Sequence, residues 1–160
     1  MKKRKINFFR KKRFNDEGFT FVETLAVLAI GAVLAAGAGV SASKVVDYAR
    51  KTSARQCISE YKNALQSYYI DCGCFPSCQQ GLQALWKKPV LHPVPESWNG
   101  PYTDSQIRCD PWGNSYIYLT KDSPSFPDEV PSSLPYVLIS YGGDGKKGGE
   151  NQNEDIVSWR

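Results

Sequence analysis

Histidine is nearly absent: His92 is the only one in 160 residues. It stands in a proline-rich stretch, Leu91-His-Pro-Val-Pro95, and a lone loop histidine is far more often a surface residue than a catalytic one. A nucleophile elbow, a phosphate-binding loop and a metalloprotease signature are also missing, and no internal repeat is present. Charge is scarce where the chain is most apolar. From Phe19 to Val40 the sequence reads FTFVETLAVLAIGAVLAAGAGV, and Glu23 is its one charged residue in 22. These absences leave little support for an enzyme. Apolar residues make up 41% and charged residues 22% of the chain, which excludes both a disordered chain and a polytopic membrane protein.

The formal net charge of +4 hides an asymmetry. Residues 1–18 hold eight basic side chains (Lys2, Lys3, Arg4, Lys5, Arg10, Lys11, Lys12, Arg13) against Asp16 and Glu17, a net of +6. The other twelve basic and fourteen acidic side chains leave the rest of the chain at −2. A nucleic-acid-binding domain would be basic itself; here the basicity belongs to a leader that stays in the cytoplasm. The apolar run behind it is long enough to span a bilayer as a helix. A cleaved secretory signal fits less well, because its apolar stretch is roughly 7–15 residues long. About 120 residues follow, enough for one modest core.

The helical pattern continues past the apolar run. Ala54, Cys57/Ile58, Tyr61, Ala64/Leu65 and Tyr68 recur at helical spacing on an otherwise polar segment. One helix of about 50 residues is expected, its second half packing on the protein's own globular part and ending at Asp71-Cys72-Gly73. Gln79–Lys88 suggests a short helix ended by Pro89. Residues 89–114, with five prolines, read as a structured loop. Ser115–Thr120 and Tyr136–Tyr141 read as strands around a 121–135 loop, and Ile156–Arg160 as a short third strand.

The junction Glu17-Gly18-Phe19-Thr20-Phe21-Val22-Glu23 carries the first candidate site. Gly18 offers a flexible, unhindered bond for a peptidase. A carboxylate in lipid is costly, up to about 2.5–3.5 kcal/mol at mid-bilayer, and calls for a partner. Cleavage after Gly18 creates an ammonium on Phe19, which shares a helix face with Glu23. In an assembly, one subunit's Glu23 can pair with the next subunit's Phe19 amine and set the register.

This junction resembles the type IV prepilin signal. Tyr69–Leu85 (YIDCGCFPSCQQGLQAL), Gly100-Pro101-Tyr102, Asp110-Pro-Trp-Gly-Asn-Ser-Tyr-Ile-Tyr118 and the glycine-rich tail ending Asp155-Ile156 before Trp159 are similar to the major pseudopilins of type II secretion systems. The resemblance covers essentially the whole chain. It implies an α+β fold, a long N-terminal helix packed on a small C-terminal antiparallel sheet. It implies a basic prepilin leader at 1–18, a transmembrane and assembly helix at 19–40, and a periplasmic domain at 41–160. A prepilin peptidase is expected to cut after Gly18, with Phe19 then N-methylated. The subunits are expected to form a homopolymer with minor pseudopilins, on an inner-membrane platform driven by its ATPase, and to move folded proteins through the outer membrane. The chain is then an inner-membrane, single-pass protein that binds no nucleic acid.

The tail, YGGDGKKGGENQNEDI from Tyr141, offers acidic and amide oxygens between glycines that let backbone carbonyls turn inward, as calcium requires. It is not an EF-hand: Lys146 and Gly148 fall where oxygen ligands belong, and no helices flank it. A plain acidic surface loop accounts for these residues equally well. The resemblance implies structural calcium (Ca2+) here, held by Asp144, Glu154, Asp155 and the carbonyl of Tyr141. Glu154 departs from the family's usual aspartate.

Five cysteines follow the apolar run: Cys57, Cys72, Cys74, Cys78 and Cys109. Outside the cytoplasm they can form disulfides, with at least one thiol left free or paired between chains; the connectivity stays open. Zinc is disfavoured, since Cys-x-Cys-x3-Cys departs from the usual pairs. Two other readings share part of this pattern: a type IV pilin proper, in adhesion, motility or DNA uptake, and a signal-anchored periplasmic calcium-binding or enzymatic domain that never polymerises.

Overall fold

The structure is a computed structural model that describes residues 18–159, and, inside the helix, the backbone alone at 37–42. The expected leader, apart from Gly18, lies outside the described residues. The chain divides into two units with the boundary between Ala42 and Ser43.

One helix, α1, runs Phe21–Cys72 over 52 residues. In the first unit its described side chains are exposed and, apart from Glu23 and Thr24, apolar: Phe21, Val22, Leu25, Leu28, Ile30 and Leu34 all face outward. The expected span Phe19–Val40 is therefore described over part of its length. Among the described residues no helix is long and apolar enough to cross a membrane. Side chains of α1 are described from Phe21 only to Ala36 before the backbone-only segment, short of the roughly 20 residues a spanning helix needs.

In the second unit the expected stripe is the core face of α1. Ala54, Ile58, Tyr61, Ala64, Leu65 and Tyr68 are buried together, with Cys57 partly buried beside them. The helix ends where glycine permits it. Gly73 takes a left-handed φ of 73°, and its N–H donates to the carbonyl of Tyr69 at 2.8 Å, the single-bond αL cap.

The sheet is three-stranded and antiparallel in the order β1 (Ile117–Thr120), β2 (Tyr136–Ser140), β3 (Ile156–Val157). Ile117 pairs with Ile139 and Thr120 with Tyr136, while Ser140 pairs with Ile156. Alternation along each strand divides two cores. Tyr118, Leu138 and Ile156 pack with the α1 stripe. Val137 and Ile139 pack on the opposite face with Val130, Phe126, Leu134 and Trp159, so the 121–135 loop covers that face.

Two expectations change. The helix expected over Gln79–Lys88 is only a 3₁₀ turn, Leu82–Leu85. Gly81 lies at φ 60°, ψ −166°, outside the helical region. Gln80 spends its side-chain amide on the carbonyls of Leu91 (2.6 Å) and Pro93 (2.7 Å), which ties this segment to the proline-rich loop instead of to a helix. The third strand is shorter than expected, two residues: at the next pair the Leu138 N–H donates to the Ser158 hydroxyl at 3.0 Å instead of to its carbonyl, which accepts from Lys62 at 3.2 Å.

Candidate functional site: the prepilin junction and the glycine loop

At the start of α1, Thr20 and Glu23 bond to each other. Glu23 Oε2 accepts the N–H and the hydroxyl of Thr20, both at 3.0 Å, and Thr20 Oγ1 accepts the N–H of Glu23 at 3.3 Å. This is a capping box, which satisfies backbone donors that a helix start leaves unpaired. Thr-x-x-Glu spacing in the sequence signals it. Among the described residues, a Cβ added to Gly18 would meet nothing within 4 Å beyond its chain neighbours, and Phe19 is 79% exposed.

The glycine loop leaves β2 at Tyr141 and returns at β3. It contains two 3₁₀ turns, Gly142–Asp144 and Asn151–Asn153. Glycine is required where the two halves meet: a Cβ on Gly142, at φ 60°, would stand 2.8 Å from the backbone of Asn153. The sequence-predicted ligands sit in different surroundings. Asp144 is exposed and its Oδ1 accepts the N–H of Lys146 at 3.1 Å. Glu154 forms an ion pair with Lys51 of α1. Asp155 Oδ2 accepts the N–H of Gly148 at 2.9 Å, while its Oδ1 is buried and has no hydrogen-bond partner among the described residues. Tyr141 and Asp155 line one cavity of about 280 Å³, together with Lys147, Glu129 and Trp159. Among the described residues, no group of three His, Cys, Asp or Glu side chains is placed to hold a metal ion.

None of the five cysteines is bridged in this structure, so the expected disulfides are not formed in it. Each sulfur that the bonding pattern places meets another group instead. Cys72 lies 3.9 Å from the hydroxyl of Tyr102, and burial pushes its thiol above the ordinary range. Cys78 Sγ accepts the N–H of Thr120 at 3.1 Å.

Two ties that spacing alone did not suggest bind the second unit together. Tyr61 accepts the N–H of Arg108 at 3.1 Å and packs edge-to-face on Tyr116, ring centroids 5.4 Å apart. Asp110, inside the 89–114 loop, is buried and bonded to Ser140 of β2.

Comparison with known proteins agrees with this architecture. The family model described as type II secretion system (T2SS), protein G, matches residues 42–159, and the prokaryotic N-terminal methylation motif matches residues 13–39. The type II secretion system core protein G of Pseudomonas aeruginosa is 36% identical over 148 residues, 92% of this chain and 98% of that protein. Its counterpart from Vibrio cholerae is 31% identical over 93% of this chain and 95% of its own length. A crystal structure of the major pseudopilin from the type 2 secretion system of enterohaemorrhagic Escherichia coli superimposes with a TM-score of 0.56 at 26% identity, covering 71% of this chain and 89% of that one. The chain belongs to the type II secretion system protein G family, the major pseudopilins, and carries that family's N-terminal methylation motif.

Proposed function

We propose that this chain is the structural subunit of a periplasmic pseudopilus that exports folded proteins across the outer membrane. A prepilin peptidase cleaves it after Gly18, and Phe19 is methylated. Minor pseudopilins, the inner-membrane platform and its ATPase are the partners of assembly. The observation that carries this reading is the first half of α1, apolar beyond Glu23 and Thr24 and exposed in the single chain, with Phe21 76% and Ile30 61% exposed. A helix apolar all round belongs in lipid or among other helices. With the flanking residues to Val40 it reaches spanning length, so the subunit waits in the inner membrane as a single-pass protein with its C-terminal domain in the periplasm. Moving from lipid to fibre then exchanges one apolar surrounding for another. The role asks for no catalytic residue, and the family is a structural one.

N-terminal sequencing and mass spectrometry of the mature protein test the processing. The expected result is a methylated Phe19; Met1 at the N-terminus would overturn the reading.

The loop's role in this reading is to hold structural calcium through Asp144, Asp155, the Tyr141 carbonyl and Glu154. What supports it is the donor chemistry, all hard oxygen, and the buried Asp155 Oδ1, which has no donor of its own. A desolvated carboxylate oxygen without a donor is costly, and a cation there satisfies it. Glu154 has to share its carboxylate with Lys51. The ion supplies charge neutralisation and a cross-link between the two halves of the loop.

A further inference from the structure

The turn Asp110–Asn114 is bonded more tightly than a connection between a loop and a strand requires. Asp110 is 5% exposed. Its Oδ1 accepts the backbone N–H groups of Trp112 (3.1 Å) and Asn114 (2.8 Å), and its Oδ2 accepts the hydroxyl of Ser140 at 2.6 Å. The backbone closes on itself as well: Asp110 N–H donates to the Asn114 carbonyl at 2.8 Å and Gly113 N–H to the Asp110 carbonyl at 3.0 Å. Ser140 is fully buried and ends β2 one residue before Tyr141. One carboxylate thus locks the turn and fastens it to the strand from which the glycine loop departs.

From this fixed turn, side chains reach into the loop. Asn114 Nδ2 donates to the Gly142 carbonyl at 2.8 Å. The Asn114 amide oxygen stands 3.0 Å from where a Cβ on Gly145 would lie, and Trp112 Cδ1 stands 3.3 Å from that of Gly143. The contacts fall on Gly142, Gly143 and Gly145, on both sides of Asp144 and directly after Tyr141. A glycine-rich segment loses more backbone freedom on ordering than any other. A cation that had to order it would bind more weakly by that amount, whereas a segment ordered beforehand does not carry this cost into binding.

We propose that Asp110 and Asn114 are positioning residues for the loop's cation: they hold Tyr141–Gly145 in place before the ion arrives, so that the Tyr141 carbonyl and the Asp144 carboxylate are already presented to it. Neither residue contacts the ion; Asp110 acts through Asn114 and Ser140. The inference rests on the calcium reading of the loop.

The test uses the full chain in detergent micelles. Calcium is titrated by calorimetry. Terbium then replaces it, excited through the neighbouring aromatic rings, and its emission lifetimes in H2O and D2O count the coordinated waters. Asn114→Ala is expected to weaken calcium binding about tenfold, the lower range for an outer partner of a metal ligand. It is also expected to add at least one water to bound terbium, while the chelated protein keeps the melting temperature of the unaltered chain. Ser140→Ala, which releases Asp110 from the strand, leaves its bonds within the turn and also removes the acceptor of the Gly142 N–H at 3.4 Å, is expected to weaken binding in the same direction. A purely structural turn would lower the chelated melting temperature and leave the affinity and the water count unchanged, and that result overturns the proposal. If the unaltered chain binds neither ion, the calcium reading falls and this inference with it. If it binds and both variants bind equally well, this inference alone falls.

Discussion

Asp155→Asn separates a calcium ligand from an ordinary acidic loop residue by a change of sign. Asparagine is nearly isosteric and still accepts a hydrogen bond, so the contact to Gly148 N–H at 2.9 Å can persist. What the substitution removes is a negative charge whose Oδ1 is buried and unpartnered. A group left in that state costs about 1–3 kcal/mol. In chelator the variant should therefore be as stable as the unaltered chain, or more so. In calcium the order reverses. Calcium sites of extracellular modules reach down to Kd of about 10⁻⁴–10⁻³ M, and that weak range is taken for this loop. At about 10 mM calcium, binding only to the folded state then adds about 1.4–2.7 kcal/mol. For a domain of this size that is a rise of about 6–11 °C in Tm, which the variant should lose. Thermal unfolding of the full chain in micelles, followed by circular dichroism in chelator and in calcium, reads both arms. A wild-type Tm that is the same in chelator and in calcium would refute the reasoning, as would a variant that keeps the full calcium shift.

Three further outcomes are expected. Leu65→Ala, at a fully buried position in the α1 stripe, should destabilise the second unit by about 2–5 kcal/mol in denaturant unfolding; a cost below about 1 kcal/mol would mean that the stripe does not carry the core. Glu23→Gln keeps the side-chain acceptor of the capping box but loses the charge, whereas Glu23→Val loses both. Both variants should insert, and neither should assemble if Glu23 pairs with the Phe19 amine. Normal fibres from Glu23→Gln, seen by cross-linking, would assign Glu23 to capping alone. Burial holds the hydroxyls of Tyr68, Tyr116 and Tyr118 above the ordinary tyrosine value. Above pH about 10 the unfolded chain releases those protons and the folded one keeps them, so their contribution is intact below that pH and falls by up to about 1.4 kcal/mol per pH unit for each tyrosine above it. Tyrosinate absorbance should rise together with unfolding; a rise near pH 10 while the fold persists would show that these rings are not sealed.

Most of what could be read from the sequence was periodic. The α1 stripe was legible because a helix repeats its core face every three to four residues, so local order alone marks Ala54 through Tyr68 as one surface. The strands at 117–120 and 136–140 were legible as short runs of aromatic and branched apolar residues between loop segments. The capping box was equally local: Thr20 and Glu23 stand three residues apart, yet a carboxylate in an apolar run draws a reading through lipid and partner subunits before one through its own helix. Local signals failed where a distant group decides. Gln79–Lys88 has helical composition, but Gln80 reaches carbonyls more than ten residues away, and Gly81 opens the backbone to let it. The ligands expected of the glycine loop came from the resemblance, matched position by position. Their surroundings were set by residues that spacing cannot associate with them: Lys51 against Glu154 across 103 positions, and Asp110 against Ser140 across 30. A flexible glycine segment has few preferences of its own, so its shape is written in what surrounds it. That is why the oxygen donors of this loop can be named from the sequence while the turn that aims them becomes visible only in the fold.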